Sequence, residues 1–168
     1  AHDALTGVLN RGAFQRILDD AAARPGRVPG TLAVLFVDLD DFKAINDGLG
    51  HAAGDLALMA VARRLVDGVR PGDAVARFGG DEFVALLDGL SGGREAIAVA
   101  ERLGAAIREP IGIGGRLAVR SSIGVGVWAT GMDGEGLLRA ADRALYAAKA
   151  AGKGRYGLFP ALRIVRET

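Results

Sequence analysis

The amino-acid sequence predicts an α+β domain in which helices flank a central, mainly antiparallel sheet. Amphipathic helical segments and short apolar strand segments follow one another in the order α-β-α-α-β-β-α-β-β-α-β. Two of these strands, at residues 74–78 and 83–87, are joined only by residues 79–82, which is typical of a hairpin. The unbroken apolar run at residues 32–37 indicates a strand that is buried on both faces.

Four segments have apolar residues at helical spacing. Asn10 is a candidate N-cap for the first helix, which we expect to run from Arg11 to about Ala22. Three longer helices are expected at about residues 53–68, 93–108 and 134–151. A short helical turn at residues 42–47 should precede the second of the four.

The second half of the chain adds three predicted strands. Residues 117–121 and 123–128 flank Ser122 and follow a glycine-rich turn, and a last short strand is expected at residues 155–159. No linker divides the chain. We therefore expect one domain over residues 1–160, followed by a C-terminal tail or linker at residues 161–168.

Length and composition narrow the possible functions. A chain of 168 residues suits a single hydrophobic core. The net charge of +1 argues against binding to a nucleic-acid polymer or a membrane surface. The absence of cysteine excludes disulfides, thiolate metal sites and cysteine nucleophiles. The apolar runs are too short to span a bilayer. We therefore expect a cytoplasmic domain that is part of a longer protein, and other segments of that protein could anchor it to a membrane.

A first acidic group follows the buried strand. Asp38 ends this strand, and Asp40 and Asp41 come directly after it. A carboxylate in this position must be paired, or must bind a cation, to offset its desolvation. An EF-hand calcium loop is excluded, because Phe42 and Lys43 stand where that loop needs an oxygen ligand and a glycine.

A second acidic group, Gly79-Gly80-Asp81-Glu82, lies at the tip of the predicted hairpin. The two glycines allow a tight turn and the close approach of a bulky ligand to the backbone. The two acids would then lie beside whatever binds there. Because glycine and aspartate are common turn residues, an exposed turn without function is the alternative interpretation.

Together, the two acidic groups predict a magnesium-dependent enzyme that acts on nucleotides. Lys43, Lys149 and Lys153 are the three lysines of the chain, and an ammonium group is suited to phosphate oxygens. Asn46 and Asp55 have the donors and acceptors needed to read a purine edge. The sequence contains no Gly-x-x-x-x-Gly-Lys-Ser/Thr loop, which argues against a P-loop nucleotide hydrolase.

Five sequence blocks follow one another over about residues 3–159. One is Arg77-Phe-Gly-Gly-Asp-Glu-Phe83. The other four are Asp3-Ala-Leu-Thr-Gly-Val-Leu-Asn-Arg11, Val37-Asp-Leu-Asp-Asp-Phe-Lys-Ala-Ile-Asn-Asp47 with Gly50-His51 and Gly54-Asp55, Ser122-Ile-Gly-Val-Gly126, and Ala141-Asp-Arg-Ala-Leu-Tyr-Ala-Ala-Lys149. In their order and natural spacing these blocks resemble the GGDEF family of diguanylate cyclases, and the first one quoted matches the family's signature.

This resemblance implies a ferredoxin-like core similar to the palm of nucleotidyl cyclases and polymerases. It also implies the condensation of two GTP molecules into cyclic di-GMP, with release of two pyrophosphates. Mg²⁺, with Mn²⁺ as the alternative ion, would be held by Asp38, the backbone carbonyl of Leu39 and Asp81. The catalytic residues implied are Asp81 and Glu82, beside the attacking ribose 3′-hydroxyl, and Lys43.

The resemblance also implies a binding site for GTP. Its members would be Asn46 and Asp55 at the guanine, His51 beside the nucleotide, and Lys43, Lys149 and Lys153 at the phosphates. As alternatives, His51 and Asp55 suit a helix entry, and Lys149 and Lys153 suit the C-terminal end of a helix, by the helix dipole. Because each domain of this family binds one GTP, catalysis would require a homodimer with two facing half-sites.

The segment Arg70-Pro71-Gly72-Asp73 precedes the signature at the separation of the family's Arg-x-x-Asp inhibitory site. The resemblance implies that Arg70 binds a phosphate or guanine of cyclic di-GMP and that Asp73 accepts from the guanine edge. By itself, the segment is an ordinary turn with a weak local ion pair.

The chain departs from the family pattern at two places. Lys153-Gly154 replaces the usual Arg-Asn, which keeps the charge but loses the bidentate fork of arginine. Val8 replaces the commoner leucine, which alters packing alone.

Two other functions stay open. One is a GGDEF module without turnover that acts as a receptor for GTP or cyclic di-GMP, and the other is a different palm-fold cyclase or nucleotidyl transferase. Asp81 and Glu82 are both present, which favours the enzyme over the receptor.

Overall fold

A computed structural model describes residues 1–159 and 163–166 of the chain. Its helices are α1 (Arg11–Ala22), α2 (Phe42–Leu49), α3 (His51–Gly68), α4 (Gly93–Arg108) and α5 (Gly134–Ala150). Its strands are β1 (Leu32–Asp40), β2 (Ala74–Arg77), β3 (Glu82–Asp88), β4 (Ile111–Gly112), β5 (Arg116–Leu117), β6 (Arg120–Val127), β7 (Arg155–Phe159) and β8 (Arg163–Arg166). No helix in this part of the chain combines the length and the apolar character needed to cross a bilayer.

Six strands form one sheet in the order β2-β3-β1-β6-β7-β8, and β4 pairs with β5 alone. Strand β1 lies near the centre and is antiparallel to both β3 and β6. The pairing of β6 with β7 is parallel, whereas the other pairs in this sheet are antiparallel. The expected α+β architecture with a mainly antiparallel sheet is confirmed.

The sheet separates two apolar cores, which explains why β1 has no polar residue before its end. Its alternate residues Leu32, Val34 and Phe36 pack with buried residues of α1 and α5. Ala33, Leu35, Val37 and Leu39 pack on the other face with α3 and α4. A strand covered on both faces must be apolar at every position, as its sequence predicts.

Ser122 was expected to separate two strands, and this prediction is wrong. It lies inside the single strand β6, fully buried and opposite Asp38 in the register with β1. The Ser122 hydroxyl donates a hydrogen bond of 2.8 Å to Asp40 Oδ1, so the strand tolerates its polar side chain. Residues 111–117 instead contain the short β4–β5 pair.

The segment expected to be a C-terminal tail or linker contains a strand. Strand β7 has the bounds expected of it, and residues 163–166 form β8, which pairs with β7. Residues 160–162 and 167–168 of the expected tail lie outside the described residues. The proposed domain boundary near residue 160 stays a prediction.

Helix α5 approaches the sheet closely because glycines face it. A Cβ on Gly124 would overlap the backbone of Ala141 and Leu145, and one on Gly126 would lie 2.7 Å from the Ala141 nitrogen. Gly157 on β7 similarly faces the backbone of α5 at Ala144. The missing side chains therefore set the height of α5 above β6 and β7.

We expect Gly124→Ala to lower the free energy of unfolding by roughly 2–3 kcal/mol, because its methyl group would push α5 away from the sheet. Urea unfolding followed by circular dichroism measures this change. Gly12→Ala is the matched control, since Gly12 lies on the exposed side of α1 with its nearest atom, Asn10 Oδ1, at ordinary contact distance. Equal stability of the two variants would contradict this account of the packing.

Candidate active site

Two of the expected acids meet at the end of β1. Asp38 lies opposite Glu82 in the pairing of β1 with β3. The next residue, Leu39, donates its backbone N–H to the Asp81 carbonyl at 3.1 Å. The hairpin tip therefore lies directly beside the end of β1. The structure brings Asp38, Leu39, Asp81 and Glu82 together, as the sequence predicts for a shared site.

The carboxylate of Asp38 has two unlike oxygen atoms. Its Oδ2 lies 2.6 Å from Lys149 Nζ. Its Oδ1 is buried and has no hydrogen-bond partner among the described residues. Burial raises the pKa of Asp38, the hydrogen bond from Lys149 opposes this, and the charge of Asp81 raises it further, so the pKa is above its ordinary value. A buried oxygen without a partner is a position where a cation would be stabilised.

Glu82 shares this charge environment. Its pKa is raised by burial and then by the charges of Asp38 and Asp81. The carboxylate occupies space that is open because Gly79 lacks a side chain, since a Cβ there would overlap Glu82 Oε1. The first glycine of the signature thus makes room for its glutamate.

The donors fit a hard divalent ion only in part. No group of three or more His, Cys, Asp or Glu side chains among the described residues is arranged to hold a metal. Asp38 and Asp81 offer carboxylate oxygens, the ligand type that Mg²⁺ prefers, and Mg²⁺ commonly completes its shell with water and substrate phosphates. The residues therefore fit an ion that arrives with a nucleotide better than an ion held by protein alone.

Asp40 and Asp41 differ from Asp38 in what they contact. Asp40 is buried, and it accepts hydrogen bonds from the Ser122 hydroxyl and from the Gly154 N–H, both at 2.8 Å. It therefore connects the end of β1 to the segment that follows α5. Asp41 is exposed and lies 2.9 Å from Lys153 Nζ. The sequence showed three neighbouring acids, but it did not show these separate partners.

The three lysines also separate. Lys149 contacts Asp38 and lies 4.0 Å from Asp40, and Lys153 contacts Asp41. Lys43 is exposed on α2. Two of the expected phosphate ligands are thus held at the acidic end of β1 as counter-ions.

Residues 153–154, which depart from the family pattern, have an unusual backbone conformation. Lys153 and Gly154 have φ values of 52° and 61°, in the left-handed region. Glycine adopts this region freely, and asparagine is one of the few other residues that enter it readily. Gly154 therefore suits the same turn as the family's usual asparagine.

The expected guanine-binding residues lie at the corner between α2 and α3. Asn46 is half-buried on α2, and its amide lies against Gly54 in the first turn of α3. His51 is the first residue of α3, and Asp55 follows Gly54 on this helix. Both of these side chains are exposed to solvent.

The Arg70–Asp73 segment lies far from these acids. Ala74 of β2 pairs with Leu86 near one end of β3, whereas Asp38 pairs with Glu82 at the other end. Six residues of strand separate Glu82 from Asp88, which corresponds to roughly 20 Å. A product site at this turn would therefore be distinct from the candidate active site.

The two polar residues of this turn already have partners. Asp73 accepts from the backbone N–H groups of Arg70 and Asp88 at 3.0 and 3.1 Å. The Arg70 guanidinium lies 3.2 Å from Glu95 Oε1. Glu95 was not expected in this position, because it lies 25 residues further along the chain on α4.

Sequence reasoning also missed the residues that brace the signature hairpin. Arg77 donates to the carbonyls of Gly79 and Gly80 at 3.1 and 2.9 Å. Its guanidinium also contacts Asp3 at 3.3 Å. Asp3 and Arg77 both lie in the matched blocks, but no local pattern pairs residues so far apart. This clamp links the N-terminal block to the hairpin tip.

The palm-like sheet with acids at the end of its central strand defines a domain of the nucleotidyl cyclase type. A family model described as "Diguanylate cyclase, GGDEF domain" matches residues 1–155, and the chain belongs to this family. The resemblance drawn from the five blocks and the palm-like fold are both confirmed.

Two relatives from Pseudomonas aeruginosa are each 40% identical to the chain. The alignment with diguanylate cyclase TpbB is 156 positions long and covers 91% of this chain and 36% of the relative. The alignment with cyclic di-GMP phosphodiesterase NbdA is 169 positions long and covers 99% of this chain and 22% of the relative. The chain thus spans about a third or less of these relatives.

Two solved structures have the same fold. One comprises only the GGDEF domain of TpbB from Pseudomonas aeruginosa, with 41% identity, a TM-score of 0.86, and coverage of 92% of this chain and 91% of that one. The other is the GGDEF domain of DgcB from Caulobacter crescentus in complex with c-di-GMP. It has 29% identity, a TM-score of 0.83, and coverage of 91% and 89%.

We expect Asp38→Asn to make the isolated chain more stable at pH 7. A carboxyl with a raised folded-state pKa stabilises the fold below its ordinary pKa of 3.8, and this contribution is lost as the pH rises through the folded value. Removing the charge should therefore raise Tm, and each kcal/mol gained would appear as roughly 2–4 °C in a domain of this size. Thermal unfolding measures it.

The advantage of Asp38→Asn should shrink as the pH falls through the raised folded-state pKa of Asp38, and it should vanish below 3.8, where Asp38 is protonated in both the folded and the unfolded chain. Asp41→Asn is the control, because the Asp41 side chain is 71% exposed and its surface pair should contribute little. A lower Tm for Asp38→Asn at pH 7 would mean that the contact with Lys149 outweighs burial.

Proposed function

We propose that the chain is a diguanylate cyclase that condenses two GTP molecules into cyclic di-GMP and two pyrophosphates in the cytoplasm. The observation that carries this proposal is the buried, unpartnered Oδ1 of Asp38, which lies at a strand end beside Asp81 in a GGDEF domain that keeps both signature acids. The match to a relative named diguanylate cyclase supports the same reaction.

The metal would be Mg²⁺, or Mn²⁺ as the alternative, held by Asp38, the Leu39 carbonyl and Asp81. When bound, the ion supplies positive charge where the reacting phosphate and the attacking oxygen gain negative charge. Lys149 now neutralises Asp38, and its side chain is 31% exposed. With Asp38 in that ligand set, the Lys149 ammonium would be available to phosphate oxygens, and Lys153 and Lys43 would contribute further charge there.

The reaction is a pair of identical transfers. The ribose 3′-oxygen of one GTP forms a bond to the α-phosphorus of the other, and the bond to the β-phosphate breaks so that pyrophosphate leaves. Glu82 or Asp81 would accept the proton of the 3′-hydroxyl. The raised pKa of Glu82 makes its carboxylate a better proton acceptor than an ordinary glutamate.

Substrate selection would come from the α2–α3 corner. The Asp55 carboxylate accepts hydrogen bonds, and guanine offers N–H donors at N1 and at its 2-amino group, where adenine has an acceptor at N1 and no amino group. Asn46 would contact the same base, with His51 beside it. Since each domain would hold one GTP, the two half-sites face one another in a homodimer.

Incubation of the chain at high concentration with GTP and Mg²⁺ should yield cyclic di-GMP, resolved by chromatography. Asp81→Ala should form none, because it removes both a metal ligand and a candidate proton acceptor. Asp67→Ala is the matched control, since Asp67 is exposed near the end of α3 and lies outside the proposed site. ATP in place of GTP should yield no product, and turnover of ATP would instead indicate another palm-fold cyclase.

The second candidate function is that of a nucleotide receptor. The match to a protein named cyclic di-GMP phosphodiesterase is the observation that favours it, because a GGDEF domain in such a protein need not turn over GTP. A fused coiled coil that forces dimerisation separates the two functions. A forced dimer that binds GTP but makes no product would replace the cyclase by the receptor.

Product inhibition would act at Arg70 and Asp73. The complex of the DgcB GGDEF domain with c-di-GMP supports product binding by a domain of this fold. Because both Asp73 oxygens hold backbone N–H groups, Arg70 is the residue that can be changed without loosening the turn.

We expect Arg70→Ala to weaken the binding of cyclic di-GMP about tenfold or more, measured by calorimetry, because a charge-assisted contact to phosphate is lost. The initial rate at negligible product should not change. Arg139→Ala provides the control, as the Arg139 side chain is 59% exposed on α5 and pairs with Glu135 of the same helix. Unchanged affinity in Arg70→Ala would place product binding elsewhere.

A further inference from the structure

Gly54 is the buried glycine in the first turn of α3. A Cβ at this position would overlap Asn46 Oδ1 and lie 3.0 Å from Asn46 Cγ. It would also lie 3.3 Å from Phe42 Cζ. The amide of Asn46 therefore occupies the space that any side chain at residue 54 would need.

The backbone around Gly54 holds this contact in place. Gly50 donates its N–H to the Asn46 carbonyl at 2.8 Å, and Gly54 donates to the Gly50 carbonyl at 3.1 Å. Gly50 has a φ of 91°, which a residue with a side chain rarely adopts. Phe42 anchors α2 in the core with 6% of its surface exposed. The corner is thus over-determined, and the amide can move only outward.

The Asn46 side chain is held by shape and not by a polar partner. None of the side-chain hydrogen bonds found among the described residues involves its amide. The N–H donors of the amide therefore have no competing partner among these residues, while the contact of its oxygen with Gly54 limits the rotamers of the side chain. A polar group that is already oriented loses less conformational entropy when a ligand binds.

We propose that Gly54 is a positioning residue for base recognition, because its missing side chain seats the Asn46 amide next to Asp55. A methyl group at residue 54 would turn the amide away and cost one hydrogen bond to the base. This inference rests on the proposed function, in which Asn46 contacts guanine. Gly54 itself touches no substrate in this scheme and acts through Asn46.

The test compares the affinities of 3′-deoxy-GTP and 3′-deoxy-ATP with Mg²⁺, since neither has the hydroxyl needed for turnover. Gly54→Ala should weaken 3′-deoxy-GTP roughly three- to tenfold, as expected for one lost hydrogen bond, and leave 3′-deoxy-ATP unchanged. Gly48→Ala is the matched control, because Gly48 lies on α2 with open space around its Cβ position. An unaltered preference for 3′-deoxy-GTP in Gly54→Ala would overturn the inference.

The double variant Asn46→Ala, Gly54→Ala shows whether Gly54 acts through Asn46. In the Asn46→Ala background, Gly54→Ala should cause no further loss of guanine preference, since contacting residues are not additive. It should also regain Tm relative to Gly54→Ala, because the overlap is gone. If Gly54→Ala alone does not fold, folding of the double variant supports the inference, and failure of both overturns it.

The same set of variants separates the two hypotheses. If Asn46→Ala keeps the full preference for 3′-deoxy-GTP over 3′-deoxy-ATP, Asn46 does not contact the base. That result would contradict both this part of the proposed function and the inference. Loss of preference in Asn46→Ala but not in Gly54→Ala would keep the proposed function and refute the inference alone.

Discussion

The contact of α5 with the backbone of β6 and β7 is the constraint on which the site depends. Gly124, Gly126 and Gly157 leave no side chain between helix and sheet, so α5 runs close above the strands. Its last turn then brings Lys149 to within 2.6 Å of Asp38 on β1. Asp40 completes the arrangement by binding the Gly154 N–H just beyond the helix. The packing of α5 on the sheet therefore also determines which groups pair with the acids at the end of β1.

The arrangement at the end of β1 places several carboxylates close together, which is unfavourable for the stability of the fold. Burial and neighbouring acids raise the pKa of both Asp38 and Glu82, and one buried oxygen of Asp38 has no hydrogen-bond partner in the described part of the chain. Strain of this kind is typical of functional sites, which commonly lower stability. The clamp of Arg77 on the hairpin tip and on Asp3 holds the acids together in spite of their repulsion.

Patterns within one element could be predicted from sequence, and contacts between elements could not. The Asn10 cap and the apolar spacing gave α1 its bounds, since both are local. Ser122 was misread as a break because its partner, Asp40, lies 82 residues away. The acids could be assigned to one site from their motifs. The contacts of Lys149 with Asp38 and of Glu95 with Arg70 could not be predicted, because each joins residues that are distant in the sequence.

The largest gap in the sequence interpretation concerns side chains that are missing. Motif reasoning assigns chemistry to polar groups, and it treats glycine as a residue that permits turns. Here Gly79 makes room for the Glu82 carboxylate, and Gly54 makes room for the Asn46 amide, although neither has a positive φ. In both cases a polar side chain that is nearby in space occupies the volume where the Cβ of another residue would lie. The role of the glycine can therefore be recognised only from the folded structure. A glycine in a signature motif therefore has to be interpreted by its neighbours as well as by its backbone.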